Sequence, residues 1–410
     1  MEPKIRFKGF EGEWIETSLS NLSSNFKYGI NAAAVSFDGE NKYLRITDID
    51  DTMHSFLQND VTSPGTDLSC CDEYLMQDGD IVIARTGASV GKSYIYHPFD
   101  GKVYFAGFLI RMRLNENTNR DFVFQNTLTN AYAKHVQFVS QRSGQPGINV
   151  NELQAYKLRI PSLSEQQFIA TYFRTLDNKI QSTSKKLASL KKLKSASLVA
   201  MFPQQGETTP KVRFKGFEGE WKETTLSECL DISYLQNSEN KYDKNDVLSV
   251  SDDFGVMNQI ELLGRSYAGK DVSSYSILQK GEIVYTKSPL KDKPFGIIKK
   301  NSYQTGIVSI LYAVYHSKDN ISADYIHYYF DPAWRLNAYM RPLVNKGAKN
   351  TMNISDEMAL MGSLIIPPSL AEQQAIAAYF RSLDRKIALE TARLEKLKQI
   401  KLACLDKMFV

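Results

Sequence analysis

The sequence predicts an α+β protein in which two globular domains are joined by two long helices, as a pseudo-two-fold repeat. Three observations predict this architecture. Two pairs of segments recur at one constant offset, an unbroken helical pattern closes each half, and short strand-like runs fill the remainder. The chain has 410 residues, a length that suits two or more domains better than one.

The repeat has an offset of 207 residues. Residues 4–21 and 211–228 agree at 14 of 18 positions, and residues 165–180 and 372–387 agree at 12 of 16. The stretches between these segments share only a faint pattern. Two units of this length do not fit a solenoid, which needs about three or more units of 20–50 residues. The constant segments therefore predict a common role, and the divergent stretches predict different roles of the same kind.

These limits divide the chain into four segments. We predict a first domain at 1–160 with its conserved box at 4–21, a first helix at 161–203, a second domain at 204–367 with its box at 211–228, and a second helix at 368–410.

The two helices have matching start signals and matching apolar seams. Ser162 and Ser369 each precede a Glu by three residues, which is typical of a capping box. Apolar residues then follow at the four–three spacing of a coiled coil, namely Ile169, Phe173, Leu176, Ile180, Leu187 and Leu190 in the first helix and Ile376, Phe380, Leu383, Ile387, Leu394 and Leu397 in the second. Residues 165–201 would span about 55 Å. We expect the helices to pair within the chain; the alternative is two amphipathic helices packed on a sheet.

Polar residues interrupt both seams at the same repeat positions, Thr183 with Glu390 and Lys194 with Lys401. We expect the apolar stripe to continue on a shifted face. The residues predicted to carry it are Leu193 and Leu198 in the first helix and Ile400 and Leu405 in the second.

The divergent stretches read as mixed domains with twisted sheets. Short apolar runs such as 81–84 and 282–285 alternate with turn signals such as Asp78-Gly79. Helical stretches are expected at 120–140 and 323–341.

Three motifs suggest catalysis but are incomplete. Gly87 to Ser93 has three residues between its glycines, whereas a phosphate-binding loop has four. Asp331-Pro332-Ala333-Trp334 lacks one proline of the methyltransferase loop that it resembles, and no glycine-rich cofactor turn precedes it. Glu282 and Lys287 lack the second acidic ligand of a nuclease. We therefore predict a chain with no catalytic residues.

Cofactor, metal and membrane sites are not expected either. The four cysteines form no CxxC pair and the five histidines have no metal-ligand spacing. Neither a secretory signal nor an apolar run of membrane-spanning length is visible. A cytoplasmic location is the expectation.

The combined motifs resemble the specificity subunit of type I restriction–modification systems over the whole chain. The matching motifs are FKGFEGEW at 7–14 and 214–221, Pro-Ser-Leu-x-Glu-Gln-Gln at 161–167 and 368–374, and Leu-Asp-x-Lys-Ile at 176–180 and 383–387. The resemblance implies two target-recognition domains that each read half of a bipartite, asymmetric site in double-stranded DNA. It implies an antiparallel coiled coil that sets the spacing. It also implies two docked modification subunits using S-adenosylmethionine, to which two restriction subunits using ATP can be added.

Polar loops containing glycine are the candidate DNA contacts, because Arg pairs with guanine, Asn and Gln with adenine, and Lys and Ser with phosphate. The candidates are Arg85, Thr86, Ser89, Lys92, Arg142, Ser143, Gln145 and Asn149 in the first domain and Lys287, Ser288, Lys291, Lys293, Lys346, Lys349, Asn350 and Asn353 in the second. For each loop, a solvated turn is the alternative. For the whole chain, the alternatives are a single-chain methyltransferase or nuclease and a scaffold that binds only proteins.

Overall fold

The computed structural model describes residues 2–289, 293–346 and 352–409, with the backbone alone at 345–346 and 352–353. The predicted sites Lys291, Lys349 and Asn350 lie outside these residues. Contacts divide the chain into two units, and each unit takes residues from both halves of the sequence. Unit 1 contains residues 1–186 and 390–410, and unit 2 contains residues 187–389.

The first half of the chain forms ten strands and five α-helices. They are β1 (Ile15–Ser18), α1 (Leu19–Leu22), β2 (Ser23–Tyr28), β3 (Ala34–Ser36), β4 (Lys42–Leu44), β5 (Thr62–Pro64), β6 (Ile81–Ala84), β7 (Ser93–Ile95), β8 (Val103–Phe105), β9 (Leu109–Leu114), α2 (Arg120–Asn126), α3 (Asn130–Val139), α4 (Val150–Gln154), β10 (Lys157–Ile160) and α5 (Leu163–Ala200).

The second half follows a similar order. Its elements are β11 (Lys222–Thr225), β12 (Leu230–Ile232), β13 (Leu248–Ser251), β14 (Gly255–Asn258), α6 (Gln259–Leu263), β15 (Ser276–Leu278), β16 (Ile283–Tyr285), β17 (Ile298–Lys300), β18 (Gly306–Val308), β19 (Ala313–Ser317), α7 (Ala323–Tyr329), α8 (Ala333–Met340), β20 (Asn345–Lys346), β21 (Met352–Asn353), β22 (Ser363–Ile366) and α9 (Leu370–Met408). Mixed helix and sheet confirm the α+β class.

Each unit is organised around a four-stranded antiparallel sheet, ordered β2-β9-β6-β7 in unit 1 and β12-β19-β16-β17 in unit 2. The central strands β6 and β16 are the apolar runs seen in the sequence, and both are completely buried. Because side chains alternate across a strand, Ile81 and Ile83 face one apolar core while Val82 faces another. In unit 2, Ile283 and Val284 face different cores in the same way.

The two predicted helical stretches are each divided in two. Helices α2 and α3 occupy the first stretch, and α7 and α8 occupy the second. Asn119, Thr129 and Ser322 cap three of these helices by accepting a backbone N–H bond. The second division falls at Pro332, which cannot continue a helix from the preceding turn.

The conserved box of each unit is tied to the first turn of a long helix. In unit 1, Arg6 donates two 2.8 Å hydrogen bonds to the Glu165 carboxylate and a further bond to the carbonyl of Gly12. Arg213 binds Glu372 in the same way in unit 2, at 2.7 and 2.8 Å. Both carboxylates are 1% exposed, so each needs the arginine as its counter-charge.

This contact corrects the predicted capping box. The backbone N–H of Glu165 does donate to the Ser162 hydroxyl, at 3.4 Å. The Glu165 carboxylate, however, accepts from Arg6 rather than from the backbone N–H of Ser162. The glutamate therefore joins the box to the helix instead of completing the cap.

In each unit, the conserved box contacts the C-terminal end of the long helix from the other half of the sequence. In unit 1, the N–H of Ile5 donates to the carbonyl of Lys407 at 3.0 Å, and Phe409 packs edge-on against Trp14. In unit 2, Val212 donates to Ala200 at 2.9 Å, and Phe202 packs edge-on against Trp221. The box therefore lies where one half of the sequence joins the other.

Helices α5 and α9 pair antiparallel within each unit. In unit 1, Asp177 contacts Lys401 at 2.7 Å, and Lys186 contacts Glu390 at 2.5 Å. In unit 2, Lys194 contacts Asp384 at 2.8 Å, and Ser197 contacts Tyr379 at 3.0 Å. Residue numbers rise along one helix as they fall along the other, which confirms the antiparallel coiled coil.

Most of the predicted helix-pairing residues are buried. Nine of the twelve are buried and the remaining three, Leu190, Ile387 and Leu397, are partly buried. Ile169 and Phe173 also pack into the main core of unit 1, so the outer turns of α5 contribute to a domain as well as to the helix pair.

The predicted shift of the stripe is wrong for two residues. Leu198 and Leu405 are buried, but Leu193 is 47% exposed and Ile400 is 37% exposed. The preceding interruption explains this result. Lys194 turns inward to Asp384 and Lys401 turns inward to Asp177, and adjacent residues on a helix point about 100° apart.

Candidate nucleic-acid interface

Two predicted loops of unit 1 meet at one surface. Thr86 and Gly147 form an isolated antiparallel bridge. The carbonyl of Arg85 accepts from the N–H of Ile148 at 2.8 Å, and the N–H of Gly87 donates to Pro146 at 3.0 Å. The segments 85–92 and 142–149 are therefore joined through their backbones, although 49 residues lie between them in the sequence.

Arg85 occupies the centre of this surface. Its guanidinium lies over the ring of Tyr28, 4.6 Å from the ring centroid. Its backbone N–H donates to the carbonyl of Phe108 at 3.0 Å. The Tyr28 hydroxyl accepts from the N–H of Val150 at 3.2 Å. Tyr28 and Phe108 are 38% and 61% exposed. The sequence analysis did not predict either residue, because nothing in the local sequence of Tyr28, which ends the mostly polar strand β2, or of Phe108 indicates a contact with Arg85.

The glycine-rich turn after β6 serves packing. Gly87 and Gly91 have φ angles of 77° and 85°, which glycine adopts without strain. A side chain at Gly91 would overlap Val136 of α3. Lys92 donates to the carbonyl of Ile49 at 2.8 Å and pairs with Asp51 at 2.7 Å. Its charge is therefore already engaged, while Thr86 and Ser89 remain partly exposed.

In the second loop of unit 1, residues 142–149, some predicted side chains are hydrogen-bonded within the protein and others are exposed to solvent. Arg142 donates to the carbonyl of Val139 at 2.6 Å and pairs with Glu152 at 2.5 Å. Asn149 caps α4 by accepting the N–H of Glu152 at 3.0 Å. Ser143 and Gln145 are exposed.

In the equivalent loop of unit 2, the described lysines Lys287 and Lys293 are both paired with carboxylates. Lys287, at a φ of 47°, pairs with Asp356 at 2.5 Å, which brings the loop after β16 beside the segment that follows β21. Ser288 is partly exposed. Lys293 is 8% exposed and binds the Asp252 carboxylate at 2.5 Å. This burial corrects the expectation that Lys293 is free to contact DNA.

Lys346 and Asn353 lie on the short hairpin β20–β21. The hairpin pairs Asn345 with Asn353 and Lys346 with Met352. It follows α8 in the chain, as the loop 142–149 follows α3 in unit 1.

A buried charge network joins the helix pair to the sheet of unit 2. The Asp331 carboxylate contacts Lys299 at 2.7 Å and Lys194 at 3.1 Å, and Lys194 also contacts Asp384. Burial alone would raise the pKa of Asp331, but the neighbouring charges of Lys299 and Lys194 outweigh it and hold that pKa well below its usual value. In unit 1, Asp177 pairs with Lys401 and also accepts a hydrogen bond from Gln125 at 2.9 Å.

The catalytic motifs considered in the sequence have structural roles. Asp331 is part of this ionic network, and Trp334 lies 4.7 Å from the Arg335 guanidinium. Glu282 accepts the N–H of Gln279 and contacts His316 at 2.6 Å; its burial raises its pKa. In unit 1, Asp80 likewise accepts the N–H of Gln77 at 2.8 Å.

Across residues 2–289, 293–346 and 352–409, no group of three or more His, Cys, Asp or Glu side chains is placed to hold a metal ion. Within the same part of the chain, no helix combines the length and the hydropathy needed to cross a membrane.

Comparisons with known proteins give one family. The model of the type I restriction modification DNA specificity domain matches residues 23–192 and again 218–399. A curated relative, the putative type I restriction enzyme MjaX specificity subunit of Methanocaldococcus jannaschii, is 22% identical over 345 residues, which cover 80% of this chain and 77% of the relative.

A solved structure has the same fold. The type I restriction–modification S subunit from M. genitalium superposes with a TM-score of 0.65 at 14% identity, over 100% of this chain and 99% of that one. Together with the two family matches, it shows that the chain belongs to the type I restriction–modification specificity family, the non-catalytic DNA-recognition component of these systems, with two specificity domains in tandem.

Proposed function

We propose that this chain gives a type I modification complex its DNA sequence specificity by reading a bipartite, asymmetric site, one half with each unit. The observation that carries this proposal is a contrast between shared and divergent parts. The box, the long helices and their contacts recur at equivalent positions in the two units, whereas the polar loops after β6 and β16 differ in sequence.

The shared parts are equivalent in their contacts as well as in sequence. Lys194 with Asp384 repeats Lys401 with Asp177 at the 207-residue offset. If the conserved box and the long helices make the same contacts in both units, the two units would present their loops to DNA in the same orientation. Loops that differ, such as Arg85-Thr86 against Lys287-Ser288, would then read different bases.

The helix pair has the properties of a spacer. A continuous α5 of 38 residues and α9 of 39 residues resist bending along their length, and ion pairs fix their register. We propose that they set the distance between the half-sites, as the dimer axis does for repressors whose half-sites lie about one helical turn apart.

Two modification subunits are the proposed partners, and each unit has an apolar cleft beside its conserved box. The two clefts share one aromatic pair at the repeat offset, Phe7 with Tyr172 in unit 1 and Phe214 with Tyr379 in unit 2, and the rest of their lining differs, since the first uses the start of α5 and the second its end. An aromatic pair repeated at equivalent positions suits two copies of one partner. The partners would supply S-adenosylmethionine, and two restriction subunits using ATP can complete the complex. A cytoplasmic location remains a prediction.

The test is to co-express the chain with a type I modification subunit that binds it and to map N6-methyladenine across the host genome. The expected result is one two-part motif with a fixed unspecified gap. Exchange of residues 22–160 for the same segment of another family member should change one part and leave the other part and the gap unchanged.

A complex that binds and methylates DNA without any sequence preference would contradict the proposal. It would favour the alternative in which the chain is a scaffold for protein partners. Methyl transfer or cleavage by the purified chain alone would instead favour a single-chain enzyme.

A further inference from the structure

We propose that Arg85 reads a guanine in the half-site of unit 1, held in position by stacking on Tyr28. This inference rests on the proposed function and adds to it the base, the reading side chain and the residue that positions it.

Arg85 differs from the other arginines of residues 1–186 in what its guanidinium contacts. This segment contains nine arginines. Eight of them donate side-chain hydrogen bonds to carboxylate, amide or carbonyl oxygens: Arg6, Arg45, Arg111, Arg113, Arg120, Arg142, Arg159 and Arg174. Within the described residues, the Arg85 guanidinium donates no side-chain hydrogen bond and has no carboxylate within 4.0 Å, and it lies over the ring of Tyr28. Its N–H groups are therefore available to a ligand.

The backbone of Arg85 is fixed on both sides. Its N–H donates to Phe108, its carbonyl accepts from Ile148 at 2.8 Å, and the preceding residue Ala84 is the buried end of β6. The side chain therefore leaves the sheet from a rigid position, which lowers the entropy lost when it binds.

Tyr28 fixes the direction of the guanidinium. The guanidinium carbon lies over the Tyr28 ring, 4.6 Å from its centroid, and the hydroxyl of Tyr28 accepts a hydrogen bond from the backbone N–H of Val150. A cation stacked on an aromatic ring keeps its in-plane N–H groups at the edge, where they can donate. Tyr28 thus acts as a positioning residue.

Guanine is the base that suits this group. In the major groove it presents two acceptors, O6 and N7, which match the two parallel N–H donors of a guanidinium. Phe108, which is 61% exposed, is joined to Arg85 through a backbone hydrogen bond of 3.0 Å. A phosphate contact is the competing use of the same charge, and it would carry no information about sequence.

The test uses the full chain in complex with its modification subunit, at one fixed salt concentration. Binding is measured to duplexes in which each base pair of the wild-type motif is replaced in turn. The variants are Arg85→Ala, Arg85→Lys, Tyr28→Ala and Tyr28→Phe. Arg159→Ala is the matched control, since it removes the same charge from β10, where Arg159 pairs with Glu16.

We expect Arg85→Ala to lose discrimination at one G·C pair by about 5- to 100-fold, in the half-site that changes on exchange of residues 22–160. Arg85→Lys should lose most of this discrimination while keeping the charge. Tyr28→Ala should relax the same position, and Tyr28→Phe, which keeps the ring, should restore it. Arg159→Ala should leave every position unchanged.

A uniform loss of affinity across all duplexes, with a smaller salt dependence, would show that Arg85 holds phosphate and would overturn the inference. Relaxation at an A·T pair, or at no position, would overturn it as well. In each of these cases the wild-type complex still reads a bipartite motif, so the proposed function stands. A wild-type complex without sequence preference would contradict the proposed function itself.

Discussion

Phe202→Ala is expected to destabilise unit 2, although Phe202 lies in the first half of the sequence. Its ring is completely buried. The ring centroid lies 5.5 Å from that of Tyr325, 5.7 Å from that of Tyr329 and 5.9 Å from that of Phe380. The Arg335 guanidinium also lies 4.7 Å from the Phe202 ring. The ring thus links the end of α5, the helix α7 and the start of α9 in one aromatic cluster.

The magnitude follows from this environment. Truncating a buried Phe to Ala costs about 3–5 kcal/mol, and the lost stack with Arg335 places the effect in the upper half of that range. For a unit of about 200 residues, each kcal/mol lowers the Tm by about 2–4 °C. We therefore expect the Tm of unit 2 to fall by roughly 8–20 °C.

Hydrogen exchange resolved along the chain is the assay, because it reports the two units separately. Protection should fall in β16 and β19, with little change in β6 and β9. The repeat supplies the control variant, Phe409→Ala. Phe409 is only partly buried and contacts Trp14, Phe122 and Phe173 of unit 1, so a smaller loss confined to unit 1 is expected.

Two outcomes would refute this reasoning. One is a loss of protection in unit 1 after Phe202→Ala that equals the loss in unit 2. The other is a change below about 1 kcal/mol, which would mean that the ring is not enclosed as described.

Three further predictions concern stability. Gly29→Ala should lower the free energy of unfolding by about 1–3 kcal/mol, because an added methyl group would overlap the backbone oxygens of Phe105 and Ala106. The control Gly269→Ala, with no atom within 4 Å of the new group, should change the urea midpoint little. Equal effects of the two substitutions would contradict the close approach at Gly29. Lys194→Met should cost about 3 kcal/mol, since it leaves Asp331 and Asp384 with one counter-charge fewer; a loss under about 0.5 kcal/mol in chemical denaturation would show that the network contributes little. Burial lowers the pKa of His327 to about 4 from its ordinary value near 6.5. Between these two pH values the folded state binds fewer protons than the unfolded state, so the stability of unit 2 should decline as pH falls from 6.5 toward 4. The variant His327→Gln should flatten this decline, and a pH profile of stability that is unchanged in the variant would be inconsistent with that pKa.

The long helices and their pairing could be predicted because their motifs occur twice in the sequence, at the same offset. The apolar seams of α5 and α9, with matched interruptions at Lys194 and Lys401, gave the helices and their pairing. Burial of a lysine could not be predicted, because it depends on a carboxylate from the other helix or from a distant loop. Asp384 and Asp177 lie 190 and 224 residues away from these lysines in the sequence, and no local pattern connects them.

The candidate site was predictable only in part for the same reason. Arg85 was identified because it follows a buried strand and precedes a glycine. Tyr28 comes from β2 and Phe108 from the turn between β8 and β9, and their contacts with Arg85 exist only after the sheet has formed. Several charged residues with the same local signals, including Lys92 and Lys293, proved to be engaged by carboxylates. A polar loop in sequence therefore does not distinguish a free side chain from a paired one.

The most direct test of the central claim varies the gap between the half-sites. Once the motif is known, the complex of this chain with its modification subunit is titrated with duplexes whose gap is shortened or lengthened by one base pair. One base pair moves a half-site by about 3.4 Å and rotates it by about a tenth of a turn. Two readers on a rigid helix pair predict a loss of affinity of at least about tenfold in both directions. Equal affinity at all three gaps would contradict the claim that the helices set the spacing.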